Sequence, residues 1–287
     1  FIGSGVVTSV RGHGERGVVG IAAYRMRVIQ AYFVVHLRDQ MAYLGEVALG
    51  GIILAVFLFV LTQLWQATFR FQGADTLGGY TLAQVIWYLV LTEAFITSRV
   101  AFARKIDTDV RTGDLAYALV RPGGYVSAHF GAYLAERLVR FAFALLVGGV
   151  FALLSVGPVP VGPVPLLVGL AASLVAMLLD FVMVLGIGLG AFWIEDTSSI
   201  YLIYTRVSMI LGGLLIPIDL FPDTVGAIAR ALPFAAMIHG PARLVLSSGL
   251  ADVSGLFTML GGSLALAGGL VWWEYGVARR RVTAQGG

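Results

Sequence analysis

Five charged residues, Glu93, Arg99, Arg140, Asp180 and Arg206, interrupt runs of sequence that are otherwise apolar. A lone Asp or Arg in hydrocarbon costs about 3 kcal/mol on insertion scales, so each needs a counter-charge, a wet cavity or a route to the interface. Their chemistry is either mutual ion pairing or an ion pathway. A second charged group sits in RKIDTDVRTGDLAYALVRPGGY, Arg104 to Tyr125, between two of the longest apolar runs. Gly113 can end a first helical piece, Asp114 can cap a second, and Arg121-Pro122-Gly123-Gly124 stops it. Leu115 and Leu119, four apart, give the second piece one apolar face for a groove. The stretch reads either as a solvated loop or as a docking element.

Nothing nominates a reaction. His13, His36, His129 and His239 are scattered without metal-ligand spacing. No phosphate loop occurs, and GIGLG at Gly186 is a helix-packing pattern, with Gly186 and Gly190 at small-xxx-small spacing. The chain has 0 cysteines, which removes disulfides and Cys-ligated metal. The sequence therefore offers no catalytic residue, no metal site and no cofactor site of its own.

The elements that must position these charges are membrane helices. The chain has 287 residues, 59% hydrophobic and 12% charged, with a mean hydropathy of +0.89. That composition excludes a soluble domain, and stretches of about 20 apolar residues cross a bilayer. The pattern predicts an all-α integral membrane protein. Residues 1–20 form a flexible cytoplasmic tail, 21–40 an interfacial helix with Tyr24, Val28, Ala31 and Val35 on one face, 41–278 a six-helix domain and 279–287 a C-terminal tail. The spans run roughly over 43–69, 81–103, 141–156 with a wetter extension before it, up to Trp193, 200–216 and 256–277. Between spans five and six, Pro217, Pro222, Pro233 and Pro241 chop an apolar segment into helices too short to cross, which predicts short re-entrant external helices that include Phe221 and Phe234.

A net charge of +3, almost all from arginine, suits membrane anchoring rather than nucleic-acid binding. Arg11, Arg16, Arg25, Arg27, Arg38, Arg104, Lys105, Arg111, Arg121 and Arg279 to Arg281 fall on one side, against Arg70, Arg230 and Arg243 on the other. The positive-inside rule then puts both termini and the 104–125 stretch in the cytoplasm. The proline hairpin GPVPVGPVP centres near Pro160. Arg140 lies about 20 residues before it and Asp180 about 20 after, so at equal helical rise the two share a depth and are expected to pair.

DVRTGDLAYALVRP, Asp109 to Pro122, placed between a second and a third span, resembles the cytoplasmic signature of bacterial ABC-2 type permeases, in particular their six-helix group. PIDLFPDTVGAIARALPFAAMIHGPARL, Pro217 to Leu244, is similar to that group's external segment. The resemblance implies a permease subunit of an ATP-binding cassette exporter in a bacterial inner membrane. Its implied partners are two cytoplasmic ATP-binding subunits holding ATP and Mg, a second permease of the same or a related chain, and membrane lipids. It assigns coupling to Asp109, Arg111, Gly113, Asp114, Leu115, Arg121 and Pro122, to which the apolar spacing adds Leu119, and the external segment to Pro217, Phe221, Pro222, Pro233, Phe234 and Pro241. Gly123-Gly124 departs from the bulkier residues expected there. Two other classes stay open on the residues alone: a secondary transporter or channel using the five charges, and a membrane-embedded enzyme.

Overall fold

A computed structural model describes residues 23–40, 44–112, 125–194, 196–246 and 253–285. Helix α1 covers 23–40, α2 Leu44–Gln72, α3 Leu82–Thr97, α4 Phe102–Arg111, α5 Tyr125–Val156, α6 Pro163–Leu189 and α7 Ser198–Leu211. Three short helices follow, α8 Asp223–Ala231, α9 Pro233–Met237 and α10 His239–Leu246, before the long α11, Val253–Gln285. Among the described residues five segments are long and apolar enough to cross a membrane: Ala48–Gln72, Leu82–Asp109, Tyr125–Val156, Pro163–Leu189 and Val253–Val277. Helix α7, with 14 residues, is shorter. At 1.5 Å per residue it reaches about 21 Å, against a hydrocarbon core of about 30 Å.

The local chemistry explains the breaks. Thr81 caps α3 reciprocally with Gln84 in a capping box. Pro163 opens α6 and Pro233 opens α9 within their first two positions, Pro222 immediately precedes α8, and Pro217 immediately precedes a 3-10 turn, Ile218–Leu220. Residues 217–246 thus hold three short helices. The polar turn after α2 contains a two-residue hairpin, β1 Thr76–Leu77 against β2 Tyr80–Thr81. Its corner is Gly78-Gly79 with φ of 56° and 84°, the left-handed backbone that a tight two-residue hairpin demands.

Several elements differ from the sequence reading. The second apolar run is not one helix to Ala103. It stops at Thr97, where Ser98 donates to the Phe95 carbonyl, and restarts as α4 at Phe102. Helix α5 is continuous from Tyr125, so Arg137 lies within it and is fully buried rather than in a wetter extension. Helix α11 continues past residue 278 to Gln285, because no breaker occurs before Gly286. In α1 the partly buried face is Val28, Ile29, Phe33, His36 and Leu37, while Tyr24, Ala31 and Val35 stay exposed. That face crosses α5 where Gly131 has no side chain; a Cβ there would collide with the Ile29 carbonyl.

The main core joins α2, α3, α5 and α6 through Leu58, Ile86, Leu89, Ala152 and Met177, all fully buried. Exposed Leu49, Ile52, Ile53, Val56 and Leu64 on α2, and Leu266, Leu270, Trp272 and Trp273 on α11, give the outside a broad apolar surface. On a soluble protein such a surface would be a liability.

Candidate functional site

Asp180 is the hub of the buried polar residues. It sits midway along α6, in the most hydropathic candidate span, and two guanidiniums reach it from different elements. Arg137 of α5 pairs with its Oδ2, and Arg99, just beyond the end of α3, brings Nη2 within 2.9 Å of Oδ1. Two hydroxyls complete the shell. Tyr204 of α7 donates to Oδ1 at 2.5 Å and Tyr133 of α5 to Oδ2 at 3.1 Å. Arg137 also donates toward the Phe95 carbonyl at 3.4 Å and lies over the Phe95 ring, 4.6 Å from its centroid. Arg99 donates to Ser208 Oγ at 2.8 Å. One carboxylate thereby ties together four membrane elements, and two positive charges face one negative.

The expected Arg140–Asp180 pair does not form. Arg140 binds Glu136 one turn back, at 2.5 Å, with its side chain 38% exposed. Arg206 is exposed on α7, and Glu93 is buried in α3 with Oε1 unpartnered. Glu93, Arg99, Arg140, Asp180 and Arg206 are thus not gathered into a pathway; only Arg99 and Asp180 meet. Sequence reading missed Arg137, Tyr133 and Tyr204. The available signal was the unpaired Asp180, which demands donors on every neighbouring helix.

Directly beyond the hub lies α4, two-faced in the way FARKIDTDVR suggests. Phe102 stacks on Phe181 of α6, with ring centroids 5.2 Å apart. Ile106 fills the space over Gly188, where a Cβ would lie 2.7 Å from the Ile106 Cβ. This makes Gly188 the point of closest approach. Gly186 instead faces Val271 and Glu274 of α11, and Gly190 meets only Thr197 at ordinary distance. Asp107 accepts from Thr197 Oγ1 at 3.0 Å and pairs with Arg111 at 3.0 Å, and Arg111 reaches toward Asp196 at 3.8 Å. Hydrogen bonds from Ser198 hold the exposed Asp196 carboxyl below its ordinary range. Asp109 points inward, accepting from Tyr125 at 2.8 Å beside His129. Arg104, Lys105 and Thr108 are left facing out. Gly113, Asp114, Leu115, Leu119, Arg121 and Pro122 lie outside the described residues.

The opposite end of the bundle is closed by α8 to α10. Asp219, just after Pro217, accepts from Tyr80 of the hairpin at 2.6 Å, with Arg243 Nε at 3.5 Å and His239 Nε2 at 3.6 Å. Burial, and then the Asp219 hydrogen bond, push the Tyr80 phenol above its ordinary value, so it stays a donor. Pro241 lies in the first turn of α10, whose Val245 and Pro241 carbonyl press on Gly169 of α6. Phe221 packs beside Ile218, Phe234 meets Tyr204 edge-on, Pro222 immediately precedes α8 and Pro233 begins α9.

The family model of the ABC-2 family transporter protein matches residues 52–283, taking in every element from α2 to α11. The chain belongs to that family. A comparison with the curated proteins finds no match. As an ABC-2 permease it is a multi-pass membrane component of a transporter, of the class that works with a cytoplasmic ATP-binding subunit. The hub and α4 are therefore parts of one permease: a buried ionic lock, and an amphipathic helix packed directly against the same span, α6.

Proposed function

We propose that this permease forms the membrane pathway of an ATP-driven exporter, and that the end of the bundle carrying α4 is where a separate ATP-binding subunit pushes. The observation that carries the reading is the division of α4. Phe102 and Ile106 clamp it to α6, while Arg104, Lys105 and Thr108 remain available to a partner. A push on that outer face would be delivered to α6 within one turn of Phe181, next to Asp180. Asp109 braces α4 from inside, exposed Arg111 ties it to Asp107 and Asp196, and Gly113, Asp114, Leu115, Leu119, Arg121 and Pro122 supply the contact beyond it.

In this account α7 is a short fifth span, which gives six spans; residues 212–216 turn away at Gly213, with φ of 73°, rather than continuing the helix. The α8–α10 segment re-enters the outer face, α1 lies in the cytoplasmic interface, and both termini are cytoplasmic in a bacterial inner membrane. Two ATP-binding subunits carry ATP and Mg, and a second permease completes the path. This chain needs no nucleotide site of its own. A carrier driven by the intramembrane charges finds less support, because Asp180 is enclosed by two guanidiniums and two phenols while Arg140 is held by Glu136. Replacing Leu115 and Leu119 with Asp tests coupling: ATP hydrolysis by the assembled complex should lose its substrate stimulation while the permease still inserts. Stimulation undiminished in that variant would reject the contact.

A further inference from the structure

At the end of the bundle opposite α4 the structure holds an open cavity of about 890 Å³, lined by the β hairpin, the start of α3, the α8–α10 segment and the first turns of α11. Its size lies within the range of small-molecule sites, about 300–1,000 Å³. Its lining has a polar part, with Tyr80, Asp219, Arg230 and Arg243, and an apolar part that includes Leu256 and Met259 from α11. The polar wall is braced from behind. Asp219 is held by Tyr80, and His239 Nδ1 meets the hydroxyl of buried Tyr88 at 3.1 Å, which in turn donates to the Gly213 carbonyl.

Among the described residues the charge of that wall is unbalanced. Asp219 offsets Arg243, at 3.5 Å. Arg230, folded back over Gly226, has no acidic partner within 4 Å among the described residues. A single exposed arginine is ordinarily a solvated side chain. Here, however, arginine placement leaves this side of the membrane poor in basic residues: of its Arg70, Arg230 and Arg243, two line the same cavity. A guanidinium's fork of N–H donors matches phosphate and carboxylate oxygens, and it keeps its charge at any working pH. Neither the apolar wall nor the cationic one is explained by binding an inorganic ion or a neutral hydrocarbon alone.

We propose that this cavity binds an amphipathic anion, with its phosphate or carboxylate head on Arg230 and Arg243 and its apolar body against Leu256 and Met259. The site goes beyond the coupling reading and does not depend on it, since binding requires no ATP-binding subunit. Two sources share this chemistry: an anionic lipid of the surrounding leaflet, and an exported amphiphile on its way out.

Full-length permease in dodecyl maltoside micelles is titrated with decyl phosphate, and in parallel with decanol and inorganic phosphate. Decyl phosphate should bind saturably, and at least tenfold more tightly than either half-probe. Arg230→Gln should weaken it about tenfold or more, the size of one lost charge-assisted contact, and Arg230→Lys should restore part of the loss. Met259→Trp, which fills the apolar side without touching a charge, should block it as well. Phosphatidylglycerol that displaces decyl phosphate, where phosphatidylcholine does not, assigns the site to lipid. Failure of both lipids to compete assigns it to a free amphiphile. Decanol binding as tightly as decyl phosphate, or decyl phosphate affinity unchanged in both Arg230→Gln and Met259→Trp, would overturn the proposal.

Discussion

Arg137 of α5 and Asp180 of α6 are both sealed from solvent, and the carboxylate lies between that guanidinium and the one of Arg99. Breaking a buried pair strands its remaining charge, at a typical cost of about 3–5 kcal/mol. Asp180→Asn strands two cations, so it should be the most damaging change at the hub. Arg137→Met strands none, because Arg99 still balances Asp180, but it opens a hole among Phe95, Tyr133 and Asp180. Arg99→Met leaves the neutral Arg137–Asp180 pair and should cost least, about 1.5–3 kcal/mol, from the lost charge-assisted hydrogen bond to Ser208. Unfolding of the solubilised permease by titrated SDS checks the order Asp180 > Arg137 > Arg99. Equal losses at Arg99 and Asp180 would show that the cluster does not act through charge balance.

Arg140 should behave as a partly exposed residue. Its bond to Glu136 is an i, i+4 pair with its side chain 38% exposed, a class worth about 0–1 kcal/mol. Arg140→Gln should leave the unfolding midpoint nearly unchanged, and exchanging the charges of Arg140 and Asp180 should not rescue Asp180→Arg. Recovery of folding in the exchanged variant would restore a pairing that the geometry rejects.

Much of this architecture was legible in the sequence, and the misses have identifiable causes. Prolines marked the starts of α6, α8 and α9 because a residue without an N–H loses least in a first helical turn. The proline hairpin fixed depth, and so pointed to this level of α5 for the partner of Asp180. Depth does not fix azimuth, though. Arg137 and Arg140 are three residues apart, about 4.5 Å along the helix and about 60° around it. Arg137 faces α6, and Glu136 claims Arg140. The break at Ser98 was hidden because the apolar run continues across it; what ends α3 is the turn that lets Arg99 reach Asp180, a tertiary demand. Glycine spacing failed in the same way: Gly186 and Gly190 carry the motif spacing, yet Gly188 makes the tightest approach, and it does so to an amphipathic helix.

Gly188→Val should detach α4. The added carbons would overlap Ile106, and overpacking of this kind costs about 1–3 kcal/mol. Membrane insertion and subunit assembly should persist, while substrate-stimulated ATP hydrolysis falls several-fold. Ile106→Ala in the same chain should recover part of the activity by vacating the space. Full activity in Gly188→Val would mean that α4 need not sit on α6.

Tyr80→Phe removes the donor that ties the β hairpin to Asp219. A hydrogen bond to a charged group contributes about 1.5–3 kcal/mol. Hydrogen exchange across residues 218–231 should accelerate by an order of magnitude or more, with exchange in α5 unchanged. Uniform acceleration through α5 would indicate global rather than local loosening.

Thr224 reports which side the α8–α10 segment occupies. It is exposed, and a chain with 0 cysteines gives no background. Thr224→Cys should react in intact cells with a membrane-impermeant thiol reagent. Protection in intact cells with reaction only after permeabilisation would reverse the proposed orientation.

The central claim is that the α4 end of the bundle receives the ATP-binding subunit. Cysteines placed singly at Thr108 and Asp114 of the assembled complex, treated with a short bifunctional thiol reagent, test it most directly, with Thr224→Cys as the control at the other end. The account predicts cross-links to the ATP-binding subunit from Thr108 and Asp114 and none from Thr224. Cross-links from Thr224 alone, or none from either position on the α4 side, would contradict it.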